Sequence, residues 1–256
     1  MGILNITPDS FYDGGSFLTI INQLKQVEKM ISEGAAIIDI GAMSTRPGAI
    51  PVDEEQEIAR LLPSLAAIRG HFSEAVISVD TYRSPVAKAA IEHGSMMIND
   101  IYGGRFDGGM FDLVARHNIP YILMHMQGTP DNMQINPHYK DVTGEVREYF
   151  QSRLALLPSG FNQVILDPGF GFGKTVKNNF QLLYQFELFR SFGFPLLAGL
   201  SRKSMINRVL QIKPQEALNG TTVLNTIALL KGANILRVHD VKEAIEAIRL
   251  VEAYVQ

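Results

Sequence analysis

The chain has 256 residues, 46% hydrophobic and 19% charged, so it can bury a large core and is not expected to be disordered. Its net charge of −3 gives no electrostatic case for binding nucleic acid, and no apolar run reaches the ~20 residues that cross a membrane. The absence of cysteine excludes disulfides, thiolate metal sites and a cysteine nucleophile. The N-terminus lacks the basic region of a signal peptide, so we expect a cytoplasmic protein.

Eight short runs are apolar at nearly every position, a pattern typical of parallel strands buried on both faces. They cover residues 2–6, 35–41, 75–80, 95–100, 120–125, 163–168, 195–201 and 234–240. Amphipathic stretches predict helices over 21–32, 53–68, 85–92, 142–157, 178–189, 204–209, 214–231 and 241–254. The alternation predicts one α/β domain, 1–256. Eight strands in a chain close to the roughly 250 residues of a typical (β/α)8 TIM barrel favour that closed barrel over an open sheet.

Nearly every predicted strand has polar residues at its carboxyl end. In a barrel these ends meet on one face, where active sites lie. Carboxylates and amides suit the N–H edge of a heterocycle, whereas cations suit phosphate, so the mixture predicts a site for a heterocycle with a phosphate or pyrophosphate tail. The residues are Asn5, Asp39, Asp80, Asn99, Asp100, His125, Asp167, Ser201, Arg202, Lys203, Arg237 and His239.

Four motifs add detail to this face. DPGFGFGK (167–174) predicts a glycine-rich turn in which Phe170 and Phe172 form a wall against a planar ring. SRKS (201–204) opens a helix, whose free N–H groups can bind an anion. The loops 5–15 and 44–49 are either lids over the site or inert surface loops. His125 is either a base or, more often for such a residue, a structural histidine.

The segments ILNITPDSF, STRPGA, SVDT, INDI, LMHMQG, DPGFGFGK, GLSRKSMI and RVHDV occur in order over nearly the whole chain. Together they resemble the dihydropteroate synthase family. The resemblance implies a homodimeric barrel that joins 6-hydroxymethyl-7,8-dihydropterin pyrophosphate to para-aminobenzoate, releasing 7,8-dihydropteroate and pyrophosphate. It also implies Mg2+ as cofactor and sulfonamides as competitors of para-aminobenzoate.

The same resemblance implies a role for each matching residue. The catalytic residues it implies are Asp39, Asp167 and Lys203. The pterin-binding residues are Asp80, Asn99, Met124, Asp167, Phe172 and Lys203. The pyrophosphate-binding residues are Asn5, which would act through the metal, and Thr45, Arg46, Arg237 and His239. The para-aminobenzoate site comprises Phe11, Thr45, Arg46, Pro47, Lys203 and Ser204.

One position departs from the family pattern, and two other functions compete with the synthase. The second-strand motif often reads GGESTRPG, but here Met43 stands in the place of the glutamate, so any contact of that glutamate is missing. A methyltransferase acting on methyltetrahydrofolate would share the pterin residues but would not need Arg237, His239 or STRPGA. A non-catalytic pterin-binding paralogue would be expected to have lost one of the site residues, and none is lost.

Overall fold

The strands form a closed parallel barrel. The computed structural model describes residues 1–7, 19–43 and 52–255. Its strands are β1 (Gly2–Asn5), β2 (Ile37–Gly41), β3 (Val76–Asp80), β4 (Met97–Asp100), β5 (Tyr121–Met124), β6 (Val164–Asp167), β7 (Leu197–Ala198) and β8 (Ile235–Leu236). Strands β1 to β6 pair in chain order, and β7 pairs with β8.

Two single bridges close the ring. Leu166 of β6 pairs with Leu196, just before β7, and Gly2 of β1 pairs with Val238, just after β8. Ile3 N donates to Val238 O at 3.0 Å, and Leu166 N donates to Pro195 O at 2.9 Å. The (β/α)8 TIM barrel expected from the strand count is therefore confirmed. The last two strands are much shorter than predicted, with two residues each.

The helices cover the outside of the barrel. They are α1 (Ile20–Ser32), α2 (Glu54–His71), α3 (Ser84–Glu92), α4 (Met110–His117), α5 (Val142–Leu154), α6 (Val176–Tyr184), α7 (Ser204–Leu210), α8 (Leu218–Leu230) and α9 (Val241–Val255), with short 3-10 helices at Phe186–Phe192 and Pro214–Glu216. The expected helices 178–189 and 214–231 are thus each divided between an α-helix and a 3-10 helix. None of the helices in the described ranges is long and apolar enough to span a membrane.

Local sequence explains where several helices begin. Thr19 Oγ1 accepts a hydrogen bond from Asn22 N, and Asp53 Oδ1 accepts one from Gln56 N, which satisfies amides left free in a first helical turn. Thr175 and Asn178 form a reciprocal capping box before α6. Helix α4 was missed in the sequence, because it has only eight residues and follows the glycine-rich stretch YGGRFDGG.

Buried side chains fill both the interior of the barrel and the layer between strands and helices. One cluster of buried hydrophobic residues extends along the chain from Leu4 to Ala244. A separate cluster includes Tyr82, Ile101, Met124, Met126 and Met133, with Met43, Tyr102 and Phe172 packed against it. Because Met124 ends β5, this second cluster lies at the carboxyl face, where it offers an apolar surface to a ligand.

Candidate active site

Predicted site residues lie at or next to the carboxyl ends of five of the first six strands, β1 and β3 to β6. Asn5 pairs with Gly41, Gly41 with Asp80, and Asp80 with Asn99. Met124 pairs with Asp167 on the other side of the ring. Because the strands are parallel, their carboxyl ends point to one face of the barrel, where these residues lie together; their roles in binding stay predictions.

Asp39 lies deeper than expected. The sequence suggested that it ends the second strand, but β2 continues to Gly41, so Asp39 lies two residues, about 6–7 Å, below the rim. Its carboxylate is fully buried. Oδ1 accepts from Ser78 Oγ at 2.6 Å, and Oδ2 accepts from Asn99 Nδ2 at 3.0 Å and Arg237 Nε at 2.7 Å. Asp39 thus holds other residues of the site and is not itself exposed, and its catalytic role stays a prediction.

Arg237 joins the two halves of the predicted ligand site. It was assigned to pyrophosphate, yet its Nη2 donates to Asp80 Oδ2 at 2.8 Å, and Asp80 was assigned to the pterin. Burial raises the pKa of Asp80 to about 7, and the guanidinium of Arg237 opposes that rise. Burial also acts against the charge of Arg237, but Asp39 and Asp80 outweigh it and raise the pKa of this arginine further. The site thus holds a cation balanced between two carboxylates.

Asp167 and Lys203 form a second pair of opposite charges. Burial raises the pKa of Asp167, and the charge of Lys203 opposes this. Burial lowers the pKa of Lys203 to about 8, against the attraction of Asp167. Lys203 Nζ donates to Phe170 O and lies 4.8 Å from the centroid of the Phe172 ring. A hydrogen-bond acceptor (Asp167), a donor (Lys203) and an aromatic face (Phe172) therefore occur in one part of the site, as the binding of a planar heterocycle requires.

His239 is oriented by Ser201. Its Nδ1 lies 3.0 Å from Ser201 Oγ, and its backbone N donates to the same oxygen at 3.2 Å. Asp240, the next residue, does not pair with Arg237. Instead Arg202, which was given no such role, forms the bidentate pair with Asp240 at 2.8 Å for both contacts. Arg237 is left to Asp39 and Asp80.

Two other expectations are settled by burial. Phe170 does not form a wall of the site, because it is fully buried and stacks on Phe186 with 5.9 Å between ring centroids, whereas Phe172 packs in the cluster at the mouth. His125 is the structural histidine: it is 6% exposed, packs edge-on against Tyr149, and its Nδ1 lies 3.0 Å from Lys174 Nζ. Burial, together with the charge of Lys174, lowers its pKa well below the usual value.

Asp100, beside Asn99 in the sequence, serves the fold. Alternate residues of a strand point in opposite directions, so Asn99 faces the site and Asp100 does not. The Asp100 carboxylate accepts hydrogen bonds from Tyr121 Oη at 2.7 Å and from the amides of Tyr102 and Gly104 at 2.8 Å each. It therefore shapes the loop between β4 and α4.

Several residues of the prediction belong to the two loops outside the described ranges. These are Phe11, Thr45, Arg46 and Pro47. Met43, which replaces the family glutamate, is described: its Sδ lies 3.5 Å from Tyr82 Oη and 3.6 Å from Arg83 Nη1. Ser204 is exposed at the first position of α7, directly after Lys203.

The fold and this combination of charges define an enzyme that binds a pterin. The profile described as "Pterin binding enzyme" matches residues 1–239. The chain is 46% identical to dihydropteroate synthase of Escherichia coli K12, over 99% of this chain and 90% of the relative, and 43% identical to that of Synechocystis, over 99% and 89%. The chain belongs to the pterin-binding enzymes and, within them, to the dihydropteroate synthases, which are transferases of folate biosynthesis.

Solved structures agree with this placement. A Yersinia pestis dihydropteroate synthase in a sulfonamide drug complex is 42% identical and superposes with a TM-score of 0.93, covering 99% of this chain and 92% of that one. The synthase of Thermus thermophilus in complex with 4-aminobenzoate is 38% identical, with a TM-score of 0.87 and coverage of 99% and 93%.

Proposed function

We propose that the carboxyl face of this barrel condenses 6-hydroxymethyl-7,8-dihydropterin pyrophosphate with para-aminobenzoate, and that sulfonamides compete with the latter. The observation that carries this proposal is the position of Arg237 between Asp39 and Asp80. A phosphate-binding cation within hydrogen-bond distance of Asp80, a carboxylate that suits a heterocycle, is the arrangement required by a ring joined to a diphosphate through one carbon.

The pterin ring is held by acceptors at its N–H edge and by an apolar wall at its face. Asp80, Asn99 and Asp167 supply the polar contacts, and Lys203 donates to a ring oxygen or nitrogen. Met124 and Phe172 supply the wall, since both belong to the hydrophobic cluster at the mouth. The burial of these groups strengthens each polar contact, because water does not compete with it.

The pyrophosphate is held by Asn5, Arg237 and His239, together with Thr45 and Arg46 of the second loop. Positive charge on this group makes it a better leaving group, because it neutralises the charge that develops as the carbon–oxygen bond breaks. When Arg237 contacts the phosphates, Asp39 holds its Nε, so the guanidinium keeps its position as the bond to Asp80 is exchanged.

Asn5 also fits the expected Mg2+. Its Oδ1 lies 3.5 Å from the point where a Cβ on Gly41 would stand, so glycine at this position leaves space beside this oxygen. Magnesium in phosphate sites is usually held by one or two protein oxygens together with the phosphates. When bound there, the ion would supply further neutralisation of the leaving group.

Loss of pyrophosphate leaves positive charge at the pterin methylene and ring, and the para-aminobenzoate nitrogen attacks this carbon and then releases one proton to solvent. Asp167 stabilises the charge by contact, whereas Asp39 acts through Asn99 and Arg237. The aminobenzoate lies between Lys203, Ser204 and the two loops, where Phe11, Thr45, Arg46 and Pro47 complete its site. No enzyme nucleophile is needed, because the amine attacks directly and positioning lowers the barrier.

The test is release of pyrophosphate from the pterin substrate, with and without para-aminobenzoate and Mg2+, with 7,8-dihydropteroate followed by chromatography. We expect release coupled to pteroate formation. Asp80→Ala should abolish it, whereas Asp112→Ala, an exposed carboxylate on α4, should not. Pyrophosphate release that is unaffected by Asp80→Ala would contradict the proposal.

We also propose that the enzyme is a homodimer, with a face that includes α8. Val223, Ile227 and Leu230 are 49%, 37% and 50% exposed, and their spacing places them on one side of that helix. Light scattering should show a dimer, and Val223→Asp with Ile227→Asp should give a folded monomer. A dimer that persists in this variant would exclude this face. The cytoplasmic location is likewise a proposal, which fractionation of the native cells would test.

A further inference from the structure

The loop between β6 and α6 is held largely by side chains, beside one backbone bond from Phe172 N to Gly169 O at 3.1 Å. Each of its five successive carbonyls from Gly169 to Gly173 accepts a hydrogen bond from a side chain. The donors are Lys174 to Gly169 O at 2.9 Å and to Phe172 O at 3.1 Å, Lys203 to Phe170 O, Gln134 to Gly171 O at 2.6 Å, and Tyr139 to Gly173 O at 2.9 Å.

Lys174 occupies the centre of this loop and has no part in the chemistry proposed above. The residue is only 3% exposed. Its ammonium has three donors, and three acceptors surround it: Gly169 O, Phe172 O and, at 3.0 Å, His125 Nδ1. Burial lowers the pKa of Lys174 well below the ordinary value of a lysine, and the three hydrogen bonds to neutral groups offset part of the cost of its charge.

The ammonium also binds the loop to its neighbour after β5. A Cβ on Gly169 would stand 1.9 Å from His125 O, and a Cβ on Gly173 would stand 2.4 Å from Gln127 O. The two loops are therefore in direct backbone contact, and the bond from Lys174 to His125 closes the same junction. Lys174 is therefore one of the contacts that set the position of one loop against the other.

Two predicted pterin contacts depend on this loop. Asp167 begins it, and Asp167 Oδ1 accepts from Gly169 N at 2.8 Å, next to the carbonyl that Lys174 holds. Lys174 donates a hydrogen bond to the carbonyl of Phe172 and so fixes the backbone of that residue. The positive charge of Lys174 further favours the ionised form of Asp167, lowering the pKa of a carboxyl that burial raises.

We propose that Lys174 is a positioning residue of the pterin pocket: its buried ammonium fixes the loop so that Asp167 and Phe172 present their side chains to the ring. This inference rests on the proposed function. It assigns Lys174 an effect on pterin affinity, separate from the aminobenzoate site and from overall stability.

The test compares Lys174→Met, which keeps the length of the side chain and removes the charge, with Lys177→Met, an exposed lysine three residues further on. The measurements are the calorimetric Kd for 6-hydroxymethylpterin, the KM for para-aminobenzoate at saturating pterin substrate, and urea unfolding. We expect the pterin Kd of Lys174→Met to rise about tenfold to a hundredfold, the factor for loss of a hydrogen bond to a charged group. The KM for para-aminobenzoate and both values for Lys177→Met should be unchanged.

A wild-type pterin Kd in folded Lys174→Met would overturn the inference, even if the urea midpoint fell, because a purely structural role changes stability alone. If Lys174→Met does not fold, His125→Leu removes one acceptor and should weaken pterin binding in the same direction. His125→Gln, which retains an acceptor, should restore it; equal binding by both would also count against the inference. If the wild-type protein fails to bind 6-hydroxymethylpterin at all, it is the proposed function that fails.

Discussion

Asp39→Asn replaces the buried carboxylate on which Ser78, Asn99 and Arg237 converge. The amide oxygen can still accept from Asn99 and Arg237, and the amide nitrogen can donate to the Ser78 hydroxyl, so the main loss is the negative charge that faces Arg237. Hydrogen bonds to a charged group contribute about 1.5–3 kcal/mol each, and removal of one partner from a buried ion pair costs about 3–5 kcal/mol. Arg237 keeps its bond to Asp80, so we expect the unfolding free energy to fall by about 3 kcal/mol, the lower end of the range for an ion pair.

The loss in catalysis should be larger than a pure change in stability. Asn99 and Arg237 were assigned to different parts of the substrate, and both lose the charged acceptor that anchors them. We therefore expect kcat/KM for the pterin substrate to fall by about a hundredfold or more in folded enzyme, at 1.36 kcal/mol for each tenfold. The assays are urea unfolding and steady-state formation of dihydropteroate.

Asp80→Asn is the matched control for this perturbation. It breaks the other bond of Arg237 with the same change of atoms, but the Asp80 side chain is 15% exposed where Asp39 is fully buried. Its stability loss should be the smaller of the two, with a marked loss of pterin affinity. Asp39→Asn with wild-type stability and kcat/KM would refute the argument that this carboxylate organises the site.

Three further predictions concern pH, the glycine-rich loop and a structural ion pair. The pKa of Asp80 is about 7 and that of Lys203 about 8. We therefore expect kcat/KM to decline below about pH 7, where Asp80 becomes protonated, and above about pH 8, where Lys203 loses its charge. Lys203→Arg should remove the decline on the alkaline side of the pH profile. Gly169→Ala should prevent folding or lower the urea midpoint severely, because its Cβ would meet His125 O at 1.9 Å, whereas Gly160→Ala, with φ of +83° and nothing within 4 Å, should cost only the ~1–2 kcal/mol of left-handed backbone strain. Arg202→Lys should lower the unfolding free energy by about 3 kcal/mol, because it loses a buried bidentate pair with Asp240. Lys88→Met, at an exposed pair, should change it by less than about 0.5 kcal/mol. Equal urea midpoints for these two variants would contradict the structural role of Arg202.

The order of strands and helices could be predicted from the sequence, because hydrophobic periodicity is a local property. The eight apolar runs became eight strands, and the barrel followed from their number. The ends were less predictable: strands β7 and β8 have two residues each, and Asp39 lies inside β2 rather than at its end. Where a strand stops is decided by the hydrogen bonds of its neighbours, which local pattern does not record.

Which polar residues lie at the carboxyl face was also available from the sequence, since parallel strands bring their ends together. Their partners were not. Arg237 binds Asp39 and Asp80, which lie 198 and 157 residues away in the chain. Asp240 is only three residues from Arg237, but it binds Arg202. Likewise, the sequence does not distinguish Phe170 from Phe172, but in the fold Phe170 is buried in the core and Phe172 packs in the cluster at the mouth. Such choices depend on closure of the barrel, because only closure decides which of several chemically suitable groups come within hydrogen-bond distance.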